Sequence, residues 1–129
     1  MMKTIIRLVI VSILLLVAAP AYSGSALQVF ACQQDEDASE AQLEAVASAW
    51  LKAAKAMKGG ENMEVYLNFP TAAYMGENDF MFIMILPNFA EWGVFMDGYK
   101  GSPASKVDAE MGELADCPDS SLWESEKIE

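Results

Sequence analysis

The spacing of hydrophobic and polar residues along this chain predicts four strands. Leu27–Gln34 and the continuously apolar Phe80–Leu86 are typical of strands, and Met63–Phe69 alternates between apolar and polar positions as a half-buried strand does. Ser121–Ile128 predicts a fourth strand near the end of the chain. Because Phe80–Leu86, the third strand in chain order, is apolar at every position, it is expected to be covered on both faces of its sheet.

Apolar residues at helical spacing lie between the first and second strands. They predict a helix that begins at a capping box formed by Asp37 and Glu40 and stops at Gly59-Gly60. Its apolar stripe consists of Leu43, Val46, Ala47, Trp50, Ala54 and Met57. Lysines crowd its last turns, where positive charge suits the helix dipole.

A second helical region follows the third strand. Asn88 and Glu91 predict its capping box, and its apolar members are Phe89, Trp92, Phe95, Met96 and Tyr99. Glycines interrupt it, and Ser102-Pro103 restarts a helix that continues to about Ala115. Cys117-Pro118-Asp119 then predicts a turn before the last strand.

The resulting order, β-α-β-β-α-β with a split second helix, predicts one α+β domain of ferredoxin-like type over residues 24–129. Its right-handed crossovers give an antiparallel sheet in the order 4-1-3-2. The first and last strands are neighbours in that order, so the end of one, at Cys32, lies near the start of the other, just after Cys117. A disulfide between them would contribute about 4–5 kcal/mol in the chain-entropy model. Two free buried thiols are the alternative.

Residues 1–23 have the charged, apolar and small segments of a secretory signal peptide. Lys3 and Arg7 precede the uncharged run Leu8–Ala19, and small residues lead to a cleavage site expected after Ser23, with Ala21 as the alternative end of the signal peptide. The apolar core is shorter than the ~20 residues that span a bilayer, which disfavours a retained anchor. The sequence thus predicts export to the periplasm or the medium, where a disulfide can persist, and no membrane attachment after cleavage.

Composition excludes several chemistries. The chain has 19 acidic residues, a net charge of −11 and no histidine, and Arg7 is its single arginine. Catalysis by Ser-His-Asp or Cys-His groups, zinc binding by imidazole and a proximal-histidine haem are therefore out of reach. The mature chain, two charges more negative without Lys3 and Arg7, is expected to repel nucleic acid and anionic lipid. Neutral, cationic or apolar partners remain.

An apolar third strand and a nearly apolar first strand leave one face of the predicted sheet in need of cover. Pairing of two such sheets in a homodimer would supply it, and the alternatives are a moderately apolar exposed face or cover by residues 70–79. In element order, in its MEVYLNF and FMFIMIL strands and in its PNFAEWGVFMDGY helix, the chain resembles the dimeric α+β-barrel superfamily. The resemblance implies a member of that superfamily, which the N-terminal segment predicts to be exported, and no catalytic residue is carried over from it.

The polar side of the second strand carries the candidate site. Tyr66 and Asn68 are expected to face the interior of such a barrel, and with Phe30, Phe82 and Trp123 they would line a mostly apolar ligand pocket. The competing interpretation is that Tyr66 and Asn68 merely decorate the sheet surface.

No cofactor is expected, and no metal. The methionines would suit copper(I), but they are dispersed and several fall on core stripes, so core filling explains them better. The acidic segments 35–37 and 77–79 lack EF-hand spacing, and helix capping or turn formation explains them.

Three functions follow from these features. The leading hypothesis is an exported protein that binds a small neutral or apolar ligand, or acts in envelope stress, without evident catalytic machinery. The second, which the family resemblance implies, is a cofactor-independent monooxygenase acting on an activated phenol or quinol. The third is a structural or interaction module, whose barrel would be filled by its own side chains.

Overall fold

The computed structural model describes residues 24–72, 76 and 79–129. The predicted signal peptide, and with it the predicted cleavage site, lies outside the described residues. The elements are β1 (Ser25–Gln34), α1 (Glu40–Lys55), β2 (Glu64–Asn68), β3 (Asp79–Leu86), α2 (Phe89–Asp97), α3 (Pro103–Leu114) and β4 (Ala115–Ser125). None of the helices in this part of the chain is long and apolar enough to cross a membrane.

The four strands form one antiparallel sheet in the order β2-β3-β1-β4. This confirms the predicted ferredoxin-like α+β fold, the order of its strands and the split of its second helical region. The single-chain sheet is open, with β2 and β4 as its edges.

Alternation along the strands gives the sheet two different faces. Side chains at even positions of β3, such as Phe80 and Met84, are buried beneath the helices, and those at odd positions are only partly buried. The core on the helix side also holds Leu43 of α1, Phe95 of α2 and Met111 of α3. The expectation that β3 is covered on both faces is therefore met on one face by the helices of the described chain.

The start of α1 corrects a prediction. The N-cap is Ser39 and not Asp37: the Gln42 N–H donates to Ser39 Oγ (3.2 Å), and the Ser39 N–H donates to Gln42 Oε1 (2.8 Å). Asp37 instead lies in the turn that precedes the helix, where its N–H donates to Asp35 Oδ1. The other two predicted caps, Asn88 and Ser102, are confirmed.

The end of α1 depends on glycine. Gly59 has φ +87°, and a Cβ at Gly60 would approach the Ala54 carbonyl oxygen closely enough to forbid any side chain. The Gly59-Gly60 pair therefore reverses the chain tightly enough for β2 to enter the sheet beside β3.

The predicted turn at Cys117-Pro118-Asp119 is wrong, because these residues belong to β4. The strand begins at Ala115, directly after α3, and its pairing with β1 shifts by one residue where β1 reaches Cys32. Such a β-bulge on an edge strand accommodates a proline, which has no N–H to donate to the ladder. The proline predicts a turn before the last strand, but the strand continues through Pro118.

The disulfide prediction is confirmed. Cys32 and Cys117 are bonded, with their Cα atoms 4.0 Å apart, and the bond joins β1 to the edge strand at the bulge. A disulfide is consistent with an oxidising compartment outside the cytosol.

Candidate functional site

The candidate site is a cavity of about 200 Å³ between the helices and the sheet. Its floor is formed by residues of β1 and β3 that point to the helix side, among them Phe30 and Phe82, whose rings meet edge to face at 6.1 Å. Trp50 of α1 packs perpendicular to Phe82 at 5.3 Å between ring centres. The apolar stripe of α1 and the even positions of the two strands thus meet across an aromatic cavity.

The rest of the wall is also mostly apolar. Met84 and Met111 contribute flexible thioether side chains, and Phe95 packs against Trp50 at 6.1 Å. Both cysteines of the disulfide line the cavity at its β1–β4 side. This lining suits the apolar body of a ligand.

One end of the cavity is polar. The indole Nε1–H of Trp50 donates a hydrogen bond to Tyr99 Oη at 3.0 Å, so the buried indole is satisfied. Burial raises the pKa of Tyr99 to about 12; the Trp50 hydrogen bond opposes that change, and the charge of Asp108 and its hydrogen bond with the phenol add to it. Tyr99 is consequently a neutral phenol at physiological pH.

Asp108 belongs to α3 and is largely exposed, which places its carboxylate at the rim of the cavity beside Tyr99. It is the one charged side chain among the described lining residues. A carboxylate has more acceptor capacity than one phenol proton can use, so it is free to accept further hydrogen bonds.

Gln28 of β1 provides a third polar group. The Trp92 Nε1–H donates to Gln28 Oε1 at 2.9 Å. An indole can only donate, so this contact fixes the amide oxygen toward Trp92 and leaves the amide nitrogen as the available donor. The polar groups of the cavity therefore comprise one amide donor, one phenol and one carboxylate.

The five residues that the sequence groups into one pocket do not lie together. Phe30 and Phe82 line the cavity on the helix side, whereas Tyr66, Asn68 and Trp123 lie on the open side of the sheet. The reason is the two-residue period: Phe82 pairs with Leu67, the neighbour of both Tyr66 and Asn68, so those two point to the opposite face.

The open-side residues have local partners. The Tyr66 hydroxyl donates to Glu64 Oε2 at 3.3 Å, and the Trp123 Nε1–H donates to Ser121 Oγ at 2.7 Å. Trp123 is 58% exposed and Tyr66 is 50% exposed, which is unusual for large aromatic side chains.

The open face of the sheet is otherwise apolar along its middle. Leu27 and Val29 of β1 lie beside Ile83 and Ile85 of β3 by the register of the two strands, and all four are only partly buried. Trp123 lies opposite Leu27 on the neighbouring strand and helps to line a shallow depression there. This surface, called the open face below, is large, apolar and uncovered by the described elements.

The site residues predicted from the sequence do not include Trp50, Tyr99, Asp108 or Gln28. Trp50 and Tyr99 fall on apolar helical stripes and are interpreted there as core. The one local feature of the sequence that could have indicated this site is the Tyr99 hydroxyl on an apolar stripe, because a buried phenol needs a hydrogen-bond partner.

The described part of the chain contains no group of three or more cysteine, aspartate and glutamate residues arranged to hold a metal ion. Residues 77 and 78 of the second acidic segment lie outside the described residues. Met63 and Met111 are buried in the core, as expected for core filling, and Asp35 accepts a turn hydrogen bond.

Comparison with known proteins supports the fold of this chain and identifies no family. No protein-family model matches the chain, and no curated protein matches its sequence. The structure is similar to SnoaB, a cofactor-independent oxygenase from Streptomyces nogalater, with a TM-score of 0.57 and 9% identity over 81% of this chain and 96% of that one.

A conserved protein of unknown function from Bacteroides thetaiotaomicron VPI-5482, described as a possible oxidoreductase, is also similar, with a TM-score of 0.48. It is 10% identical, over 80% of this chain and 99% of that one, and this second similarity is too weak to support an inference. At 9% identity, the likeness to SnoaB supports the ferredoxin-like α+β fold and not an activity.

Proposed function

We propose that this protein is exported and binds a small, mainly apolar molecule in the cavity between its helices and its sheet. The observation that carries the proposal is the aromatic cavity of about 200 Å³ with the Tyr99 phenol at one end. Dry apolar cavities of ~150 Å³ accept benzene, so the available space suits a ligand built on a single ring. Binding of such a ligand, with or without a role in envelope stress, needs no histidine, arginine or cofactor.

Calorimetry with benzyl alcohol, a neutral single-ring probe, tests the proposal. Met111→Phe is expected to fill part of the cavity and to weaken binding, because Met111 lines it. Met57→Phe is the matched control, since Met57 is a partly buried methionine just after α1 and outside the cavity lining. Equal affinity in the two variants, or no binding by the wild-type protein, would contradict the proposal.

The same proposal includes a homodimer formed through the open face. An uncovered apolar sheet face is a typical protein interface, and a second copy offers an identical face that can stack on it. Ile83 lies at its middle, since it pairs with Val29 on one side and Tyr66 on the other. Stacking would bury these residues from both copies.

Native mass spectrometry of the disulfide-bonded protein tests the interface. Ile83→Glu places a charge at the middle of the open face and is expected to give monomers, because a buried unpaired carboxylate is costly. Ala45→Glu, on the exposed side of α1, is expected to leave the dimer intact. A wild-type protein that is monomeric at micromolar concentration would refute the interface, although the cavity would survive.

A second candidate function is cofactor-independent oxygenation, here of an activated phenol, because SnoaB, which has a similar fold, is a cofactor-independent oxygenase. In the simplest balanced reaction, a phenol with a free para position and O₂ give a quinone and water. One oxygen atom becomes the new carbonyl, the other leaves as water, and the substrate supplies all four electrons. Asp108 would accept the phenol proton, and the cavity would exclude water from the oxidation.

Oxygen uptake with a panel of phenols and quinols tests this function. Tyr99→Phe and Asp108→Asn are expected to lower uptake if the reaction occurs in the cavity. Tyr66→Phe and Asn68→Ala would lower it if the reaction occurred on the open face, where the structure places both residues. Absence of uptake with the whole panel would refute the oxygenase and leave the binding proposal in place.

A further inference from the structure

The charge distribution in the cavity narrows the class of ligand. Asp108 is its one charged group, and no lysine is among its lining residues in the described chain. An anionic ligand would meet a carboxylate at the rim with no cation to offset it. The cavity therefore selects against carboxylates, sulfates and phosphates.

The Asp108 carboxylate lies at the rim of the cavity beside the Tyr99 phenol, which itself accepts the Trp50 hydrogen bond. Its two oxygens offer several acceptor sites to a ligand at the rim. A ligand group with several donors and a positive charge would use them best.

The aromatic walls point to the same ligand class. Trp50, Phe30 and Phe82 line the same cavity, and aromatic rings attract cations through their electron-rich faces. The net charge of −11 for the whole chain further raises the local concentration of cations.

We propose that the cavity binds an arylalkylamine: a single aromatic ring seated among the aromatic and methionine side chains, with a short-chain ammonium group held by Asp108 at the rim. This inference rests on the proposed function, because it names the class of ligand for the same cavity. It assigns Asp108 as the residue that determines specificity.

Calorimetry with three probes of similar size tests the inference: benzylamine, benzyl alcohol and benzoate. Benzylamine is expected to bind about tenfold more tightly than benzyl alcohol, and benzoate more weakly than either. Asp108→Asn is expected to remove most of the preference for benzylamine, because benzylamine loses an ion pair whereas benzyl alcohol loses at most one hydrogen bond. Glu110→Gln, on the same helix but outside the cavity lining, is the matched control and should preserve the preference.

A salt titration of the wild-type protein provides a test that needs no variant. Raising the salt concentration should weaken benzylamine binding and leave benzyl alcohol binding unchanged, because only the former involves an ion pair. Equal affinities for benzylamine and benzyl alcohol would overturn the ligand class and leave the binding cavity intact. An equal effect of the Asp108 and Glu110 variants would also overturn it, since the preference would then come from the overall charge. Failure of all three probes to bind would overturn the proposed function itself.

Discussion

Reduction of the Cys32–Cys117 disulfide should lower the free energy of unfolding by several kcal/mol. The two cysteines are 85 positions apart in sequence, and the bond closes a loop of that length in the unfolded chain. In the chain-entropy model such a loop removes about 15 cal/mol/K of entropy from the unfolded state, or about 4.6 kcal/mol at 25 °C. Domains of this size are stable by roughly 5–15 kcal/mol in total, so the loss would be a large share of the stability.

Urea unfolding of the oxidised and reduced wild-type protein measures this difference. The reduced protein keeps both sulfur atoms in place, so the comparison isolates the covalent link from any loss of packing. The double variant Cys32→Ala/Cys117→Ala adds a packing loss, because Cys32 is only 4% exposed and both residues line the cavity. It should therefore be less stable than the reduced wild type by a further ~1 kcal/mol.

The m-value carries independent information. Without the link the unfolded chain exposes more surface, so the dependence of stability on urea should become steeper after reduction. A difference of less than about 1 kcal/mol between the oxidised and reduced proteins would refute the reasoning. It would mean that the unfolded chain keeps β1 near β4 without the bond, and that the link removes little entropy.

Two further predictions concern Tyr99 and the N-terminus. Because burial raises the pKa of Tyr99 to about 12 from an ordinary value of 10, the unfolded state loses this proton first, and stability should fall between pH 10 and pH 12. Tyr99→Phe should reduce that fall in alkaline unfolding experiments, with the exposed Tyr66→Phe as the control for loss of a phenol. Cleavage after Ser23 would free the amino group of Gly24, whose backbone nitrogen lies 3.3 Å from Glu124 Oε1. Mass spectrometry of the exported protein should find this N-terminus, with cleavage after Ala21 as the alternative, and an uncleaved chain would contradict the predicted signal peptide.

Much of the fold follows from local patterns in the sequence. The bounds of β2 differ from the predicted ones by one residue at each end, and those of β3 by one residue at its start. The agreement is close because the apolar runs and the flanking prolines are unambiguous there. The disulfide followed from topology, since the strand order makes β1 and β4 neighbours. The prediction failed at Pro118, where a bulge lets an edge strand continue through a residue that usually ends strands.

The candidate site could not be predicted in the same way. A two-residue period shows which residues of one strand share a face, but it does not show which face of each strand meets the helices. On β1 both faces are largely apolar, so the pattern alone cannot assign Phe30 to the helix side. Only the register between strands, with Phe30 opposite Phe82, separates these two residues from Tyr66 and Trp123.

The polar end of the cavity depends on the break between α2 and α3. Tyr99 and Asp108 are nine positions apart, and in one continuous helix they would be about 13.5 Å apart along the axis and on opposite faces. Gly101 adopts a left-handed φ of +75°, and Ser102 then caps α3, so the chain changes direction between the two residues. The interruption that appears in the sequence as a weak helix end is therefore what allows the Asp108 carboxylate to reach the Tyr99 phenol. Restoring a continuous helix across residues 98–102 would be expected to remove the polar end while keeping each of its residues.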